Sequence, residues 1–327
     1  MTVSRVINSG SGVRPLTREA VEQAIRDLNY TPNLAARRLV TDSEVRIGIV
    51  YSNPCAAFMS EFLVGIFEEA TAKGAHLHLA SGHDGRAPQP DAIDAMLAAG
   101  LAGVILAPPL GEALTIRRQI AEAGLPMAVV GGRSDGEALS VRIDDRKAAH
   151  DMTRHLLETG HRRIGFILGN PDQSASADRL SGFHDAVREA RGVETIVAQG
   201  DFSYASGLAA AEQLLDSAAP PTAIFASSDD MAAAVVSVAH RRHLDVPRDL
   251  TVVGFDDTTA AVTLWPPLTT VHQPVRDMAA MAMDLLMQDL RTDDPDRVTP
   301  REHILHHRIV ERQSTAAPRK AASGNSS

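Results

Sequence analysis

The sequence is poor in cysteine and aromatic residues and lacks a long apolar run. A single cysteine, Cys55, stands among 327 residues, which excludes an intrachain disulfide and a cysteine-based metal cluster. No apolar run approaches the roughly 18–20 residues that a membrane-spanning helix needs. Polar residues also interrupt the first apolar positions, where a signal peptide would be continuous. We therefore expect a cytoplasmic protein with no membrane partner.

Three common motifs of nucleotide-binding proteins and hydrolases are also missing. There is no GxxxxGK[ST] phosphate loop, no GxGxxG after the first predicted strand and no GxSxG nucleophile turn. Paired carboxylates could serve glycoside hydrolysis, but no pair stands out as acid and base. The sequence favours a binding protein over an enzyme, and nothing in it asks for a cofactor or a metal.

Charge is distributed unevenly along the chain. The formal net charge is -9, but residues 1–41 hold six arginines and three acids, so this segment carries +3 and the remainder -12. A basic head on an acidic body indicates a local contact with a polyanion such as DNA.

From residue 46 onward, short β-rich runs alternate with longer, Ala-rich amphipathic runs. This alternation, with strands that are almost continuously apolar, is typical of parallel sheets covered by helices on both faces. The first series of predicted strands comprises 46–52, 75–81, 103–108, 127–131 and 141–144. The second comprises 163–169, 195–201, 222–229 and 251–257. Two such series predict two similar α/β subdomains.

Aspartate pairs follow three of the predicted strands. The pairs are Asp144 and Asp145, Asp229 and Asp230, and Asp256 and Asp257. Ligands of open parallel sheets bind outside the carboxyl ends of the strands. Carboxylates there, with Arg179 and Phe202 nearby in sequence, suit a small polyhydroxylated ligand. Because an aspartate after a strand can equally cap a helix, we expect one cap and one ligand contact in each pair.

Several histidines and the single tryptophan are better explained by packing than by ligand binding. The segment "HILHHR" resembles a metal-binding tract, and on a strand His303 and His307 would share one face while His306 points away. Because no further ligand is evident nearby, packing or surface histidines are favoured. We likewise expect Trp265, beside two prolines, to pack.

Taken together, the motifs resemble the lactose-repressor (LacI/GalR) family of transcription regulators. The chain carries, in the family's order, "TVSRVIN", "NLAARRL", "GHRRIGFILG", "SSDDMA", "VVGFDD" and "PPLTTVHQP". The resemblance implies an α/β fold of two Rossmann-like subdomains, like the periplasmic binding proteins, behind a small all-α DNA-binding head. It implies a homodimeric regulator, most simply a repressor, that binds a double-stranded DNA operator. A small polar effector, most simply a carbohydrate, would control that binding.

The resemblance also implies a set of DNA contacts in the head. Arg5 matches a base-reading position, where a guanidinium can present two donors to a guanine edge. Ala36 and Leu39 match the hinge helix, where the small residue lets paired hinges approach and the leucine wedges into the minor groove. Leu39 could alternatively be a simple packing residue. Six residues match phosphate-contacting positions: Thr2, Ser4, Asn8, Thr17, Tyr30 and Asn33.

The beginning of the chain departs from the family pattern. Family members carry another helix before the one that begins near Met1 here. A helix-turn-helix unit without its first helix leaves Val3, Val6 and Ile7 without apolar contacts. We therefore expect a head that lacks its first helix: either the start codon was assigned too late, which we favour, or the head is incomplete. The alternative function is a sugar-binding protein without DNA-binding activity.

Finally, the resemblance implies the effector site and the domain boundaries. The effector contacts map onto Phe58, Gln173, Ser174, Arg179, Phe202, Asp229 and Asp256. This selects Asp229 and Asp256 from their pairs, with Asp230 and Asp257 as caps or supports. The expected units are a head (1–32), a hinge helix and linker (33–45), an N-terminal subdomain (46–144 plus 274–301), a C-terminal subdomain (145–273 plus 302–313) and a disordered tail (314–327).

Overall fold

The computed structural model describes residues 45–52, 56–83, 86–133, 136–291 and 301–319, together with the helical positions Thr17 and Gln23. Its strands are β1 Val45–Tyr51, β2 Ala75–Ser81, β3 Gly103–Leu106, β4 Met127–Val130, β5 Leu139–Ile143, β6 Arg163–Leu168, β7 Glu194–Gln199, β8 Ala223–Ala226, β9 Thr251–Asp256, β10 Thr269–His272, β11 Glu302–Leu305 and β12 Arg308–Val310. Its helices are α1 Ala56–Lys73, α2 Pro90–Ala98, α3 Leu114–Glu122, α4 Asp145–Glu158, α5 Ser174–Glu189, α6 Tyr204–Leu215, α7 Asp229–Arg241, α8 Thr259–Thr263 and α9 Val275–Arg291.

The first subdomain is built on a six-stranded parallel sheet in the order β11-β5-β4-β3-β1-β2. Because successive side chains of a strand point to opposite faces, Ile49 packs with Phe62 of α1 on one face. Val104 packs with Ile93 of α2 and Ile116 of α3 on the other. Both faces are therefore covered, as the continuous apolar strands predict.

The second subdomain is built on a six-stranded sheet in the order β12-β10-β9-β8-β6-β7, in which only β12 is antiparallel. Phe166 stacks on Phe183 of α5 at 4.7 Å between ring centroids, and it meets Phe225 edge-on. On the opposite face Ile224 packs with Leu214 of α6 and with residues of α7. The two series of predicted strands are confirmed as β1–β5 and β6–β9.

One predicted domain boundary is wrong. Residues 302–305 were assigned to the C-terminal subdomain, but they form β11, which pairs in parallel with β5 of the first sheet. An ion pair between Arg142 Nε and Glu302 Oε1, at 2.8 Å, joins the same two strands. The last crossing of the chain to the second sheet therefore lies between β11 and β12, after residue 305.

The predicted disordered tail is also wrong for residues 314–319. Ser314 is fully buried; its Oγ donates to the Val252 carbonyl at 2.5 Å and accepts from the Thr269 amide at 2.8 Å. The Ala316 carbonyl lies 3.0 Å from Nε2 of the buried His161. A stretch of small polar residues is ordered here because its hydroxyls and backbone complete the second sheet. Residues 320–327 lie outside the described part.

The packing prediction holds for His307 but not for Trp265. His307 packs against α4, with Nε2 3.1 Å from Asp151 Oδ2. Among the described residues no cluster of His, Cys, Asp or Glu could hold a metal ion. Trp265, expected to pack, is instead 78% exposed. Within the same residues no helix is both long and apolar enough to cross a membrane.

Candidate functional site

A cavity lies between the two subdomains. Its lining residues are Phe58, Met59, Pro108, Gly131, Ile143, Asp145, Gln173, Ala175, Arg179, Phe202, Asp256 and Gln273. Five of the seven predicted effector contacts are among them: Phe58, Gln173, Arg179, Phe202 and Asp256. The carboxyl ends of strands from both sheets thus meet at one site, as expected for open parallel sheets.

Arg179 is the buried cation of the cavity. Its Nε donates to Asp145 Oδ1 at 2.7 Å and its Nη1 donates to the Ser227 carbonyl at 2.6 Å. The guanidinium carbon lies 3.5 Å from the centroid of the Phe255 ring. These contacts lock the planar group in one orientation and leave its Nη2 donors for a ligand.

Asp145 is a cavity residue that the resemblance did not indicate. It is buried in the first turn of α4, while Asp144 is the N-cap and accepts from the Lys147 amide at 2.9 Å. This pair therefore divides into one cap and one cavity residue. Burial raises the pKa of the Asp145 carboxyl, and the charge of Arg179 opposes that shift.

Asp256 ends β9 with a backbone φ of +115°, which residues other than glycine rarely adopt. This conformation turns the carboxylate into the cavity, where its Oδ1 accepts from Gln273 Nε2 at 2.6 Å. Burial raises the pKa of Asp256 well above its ordinary value. The next residue, Asp257, faces away and accepts from Arg312 Nη2 at 2.5 Å, so it has a supporting role.

Phe202 provides an aromatic surface at the cavity wall. Its φ is +77°, and its carbonyl accepts from Ser228 Oγ at 3.1 Å, which holds this unusual conformation. A Cβ at Gly169 would lie 2.0 Å from the ring, so only glycine fits beneath it. The strained backbones of Phe202 and Asp256 therefore both serve the same cavity.

Asp229, predicted to contact the effector, lies outside the cavity lining. It is fully buried, and its Oδ2 accepts from the Thr258 amide at 2.7 Å while its Oδ1 accepts from Thr270 Oγ1 at 2.6 Å. Ser228 is the N-cap of α7, so Asp229 falls inside the helix and its side chain turns toward β9 and β10. A Cβ at Gly254 would lie 2.3 Å from its Oδ1. Burial raises the pKa of Asp229 to about 7.

Ser174 also lies outside the cavity lining. Its amide donates to Glu112 Oε2 of the first subdomain at 2.7 Å, and its Oγ also bonds to Glu112. Two residues that do line the cavity, Met59 and Gln273, had no sequence signal, because an apolar helix residue and an amide after a strand are common everywhere.

Most predicted DNA contacts fall outside the described residues. Thr17 is helical and exposed. The remaining eight lie in undescribed parts of the chain: Thr2, Ser4, Arg5, Asn8, Tyr30, Asn33, Ala36 and Leu39.

Two protein-family models match the chain. Residues 153–315 match the periplasmic binding protein-like domain, and residues 1–33 match the bacterial regulatory proteins of the lacI family. The transcriptional regulator CelR of Thermobifida fusca is 37% identical, over 93% of this chain and 92% of the relative. Catabolite control protein A of Priestia megaterium is 32% identical, over 96% of this chain and 95% of the relative.

Solved structures agree over nearly the whole chain. The complex of the regulator CelR with cellobiose has a TM-score of 0.71 at 31% identity, covering 96% of this chain and 95% of that one. The lac repressor dimer bound to operator and the anti-inducer ONPF has a TM-score of 0.73 at 28% identity, covering 97% and 95%.

Proposed function

Because this chain belongs to the LacI family of DNA-binding transcriptional regulators, we propose that it is a repressor whose operator affinity is set by a small polyhydroxylated effector. The effector is most simply a sugar, bound between the two subdomains of the periplasmic-binding-protein-like core.

The composition of the cavity carries the proposal. Asp256 and Gln273 offer carboxylate and amide groups to hydroxyls, and Arg179 offers fixed donors. Phe58 and Phe202 offer rings to the C–H face of a sugar. The relative CelR, whose solved complex contains cellobiose, makes that disaccharide the first candidate.

The position of the cavity supports control by the effector. A ligand that touches Phe58 of the first subdomain and Asp256 of the second binds one arrangement of the subdomains better than another. Only such a difference in affinity can shift a conformational equilibrium. The shift would change how two DNA-binding heads are spaced and thereby the affinity for operator.

We further propose that the repressor is a homodimer on a palindromic operator. Apolar side chains are exposed on both subdomains: Phe67 on α1 and Leu79 on the edge strand β2, and Val197 on the edge strand β7 with Trp265. Exposed apolar residues of this size are typical of interfaces. An interface there would also account for the exposure of Trp265. Sedimentation of the purified protein tests the dimer.

The repressor proposal is tested by fluorescence anisotropy with DNA from upstream of its own gene. We expect binding that changes at least tenfold on addition of cellobiose, glucose or ribose. Binding that no member of this panel changes would argue against a sugar effector. Absence of DNA binding by a dimeric protein would reject the repressor.

A further inference from the structure

Two polar contacts join the subdomains beside the cavity, and we call them together the cross-cleft latch. In the first contact Glu112 of the first subdomain accepts from the amide and hydroxyl of Ser174 in the second. In the second, Arg133 of the first subdomain bonds through Nε and Nη2 to both carboxylate oxygens of Asp178. Ser174 and Asp178 are one helical turn apart on α5, so both contacts bind the first subdomain to the same helix.

Glu112 is held in place by its own subdomain. It ends the short 3₁₀ helix Leu110–Glu112 after β3, and Leu110 is buried in the core of the first subdomain. Gly111 packs so closely on Val129 that a Cβ would lie 2.3 Å from its Cγ1. The Arg133 amide donates to Glu112 Oε1 at 3.3 Å, which ties the two halves of the latch together.

Helix α5 lacks a side-chain cap of its own at its N-terminus, and Glu112 supplies the missing acceptor. The N-cap residue Gln173 makes no side-chain capping bond, and the first turn contains no acid. The first amides of a helix have no intrahelical acceptor, and the positive end of the helix favours a carboxylate. A capping group that normally comes from the same chain segment is here provided by the other subdomain.

The two contacts differ in expected strength. Arg133 is 57% exposed and Asp178 16%, so water and salt screen their ion pair. Glu112 makes charge-assisted bonds at a half-buried helix end, which are the stronger kind. Most of the effect of the latch therefore comes from Glu112.

The same helix carries part of the cavity wall. Gln173, Ala175 and Arg179 of its first turns line the cavity. We propose that Glu112 and Arg133 are positioning residues that set effector affinity by holding α5 against the first subdomain, although neither lines the effector cavity. The claim about affinity depends on the proposed effector site; the claim about subdomain arrangement does not.

The test uses the full chain with spin labels on both subdomains. Arg118→Cys on α3 and Gln213→Cys on α6, in a Cys55→Ser background, report the distance between subdomains by pulsed electron resonance. We expect one narrow distance for the parent protein and a second, longer distance after Glu112→Ala. Glu112→Gln, which keeps an acceptor but loses the charge, should fall between them. Glu122→Ala, which removes an exposed acid from α3, is the matched control.

Effector affinity is then measured by titration calorimetry with cellobiose. The apparent affinity equals the affinity of the closed arrangement multiplied by the fraction of protein that is closed. Because Glu112→Ala lowers that fraction, it should weaken binding on the order of tenfold. Arg133→Ala should weaken binding about twofold to threefold, and no further when combined with Asp178→Ala.

The outcomes separate this proposal from the proposed function. Identical distances in Glu112→Ala and the parent would overturn the latch, and changed distances with unchanged cellobiose affinity would overturn its effect on effector binding. If the parent protein does not bind cellobiose, the sugar candidate fails, and the distances alone decide whether the latch holds the subdomains together.

Discussion

The two walls of the cavity differ in chemistry. Among the described residues, the first subdomain contributes only apolar or backbone surface: Phe58, Met59, Pro108, Gly131 and Ile143. The charged residues in the described lining, Asp145, Arg179 and Asp256, all come from the second subdomain. Folds with two similar sheets need not give two similar walls, because each wall consists of the loops and helix ends that follow the strands.

This difference assigns different tasks to the two subdomains. Charged groups held by short bonds fix the orientation of a ligand and reject analogues that leave those groups unpaired. An apolar wall adds affinity without directional preference and excludes water. The second subdomain should therefore determine which ligand binds, and the first should determine how tightly the cavity closes on it.

Removing Arg179 should have the largest effect on the polar wall. In Arg179→Ala the carboxyl of Asp145 loses its cation in a buried position, so we expect unfolding free energy to fall by about 3 kcal/mol. Affinity for the best sugar of the panel should fall at least 100-fold, by calorimetry. Arg188→Ala, an exposed arginine on the same helix, is the control. Sugar affinity within threefold of the parent would place recognition elsewhere.

Removal of the C-terminal residues should destabilise the second subdomain but not the first. Ending the chain after Gln313 removes the bonds of Ser314 and Ala316 to the second sheet, which should cost about 2–3 kcal/mol. Hydrogen exchange should become faster in β9 and β10 but not in the first sheet. A chain that ends after Arg319 should behave like the parent. Equal loss of protection in both sheets would show that the subdomains unfold as one unit.

The buried carboxyl of Asp229 should make stability depend on pH. Its pKa is raised from 3.8 to about 7, so the folded protein keeps a proton that the unfolded chain releases near pH 4. Unfolding free energy should therefore fall as pH rises from about 4 to 7, and level off above. In Asp229→Asn, the unfolding free energy measured by urea denaturation should depend less steeply on pH. An unchanged slope would assign the pH dependence to Asp256 instead.

The smallest effect is expected on the apolar wall. Phe58→Ala should lower sugar affinity by about 1 kcal/mol, or fivefold, because apolar contact is lost without leaving a polar group unpaired. The order of preference among cellobiose, glucose and ribose should not change. A reversed order in this variant would contradict the division of tasks between the walls.

Much of the fold could be predicted because strand patterns are local. Each of the nine predicted strands is a run of apolar residues, and all nine form. The strands β10, β11 and β12 were missed because polar or charged residues interrupt their apolar positions, and β11 joins the first sheet through a contact distant in sequence. Pairing between distant segments leaves no trace in local periodicity.

The site was predictable only in part. Aspartate pairs at strand ends indicated the right places, but the member that lines the cavity depends on which residue caps the next helix. Ser228 caps α7 and so moves Asp229 out of the cavity lining, whereas Asp144 caps α4 and leaves Asp145 to line the cavity. Glu112 had no signal at all, because its partner Ser174 lies 62 residues away on the other subdomain.

A crystal structure with the best-binding sugar of the panel tests the division between the walls most directly. The account predicts a sugar in the cavity, with hydroxyls bonded to Asp256 and to Nη2 of Arg179 and with a C–H face against Phe58. A sugar whose hydroxyls bond mainly to the first subdomain, or one bound outside this cavity, would contradict it.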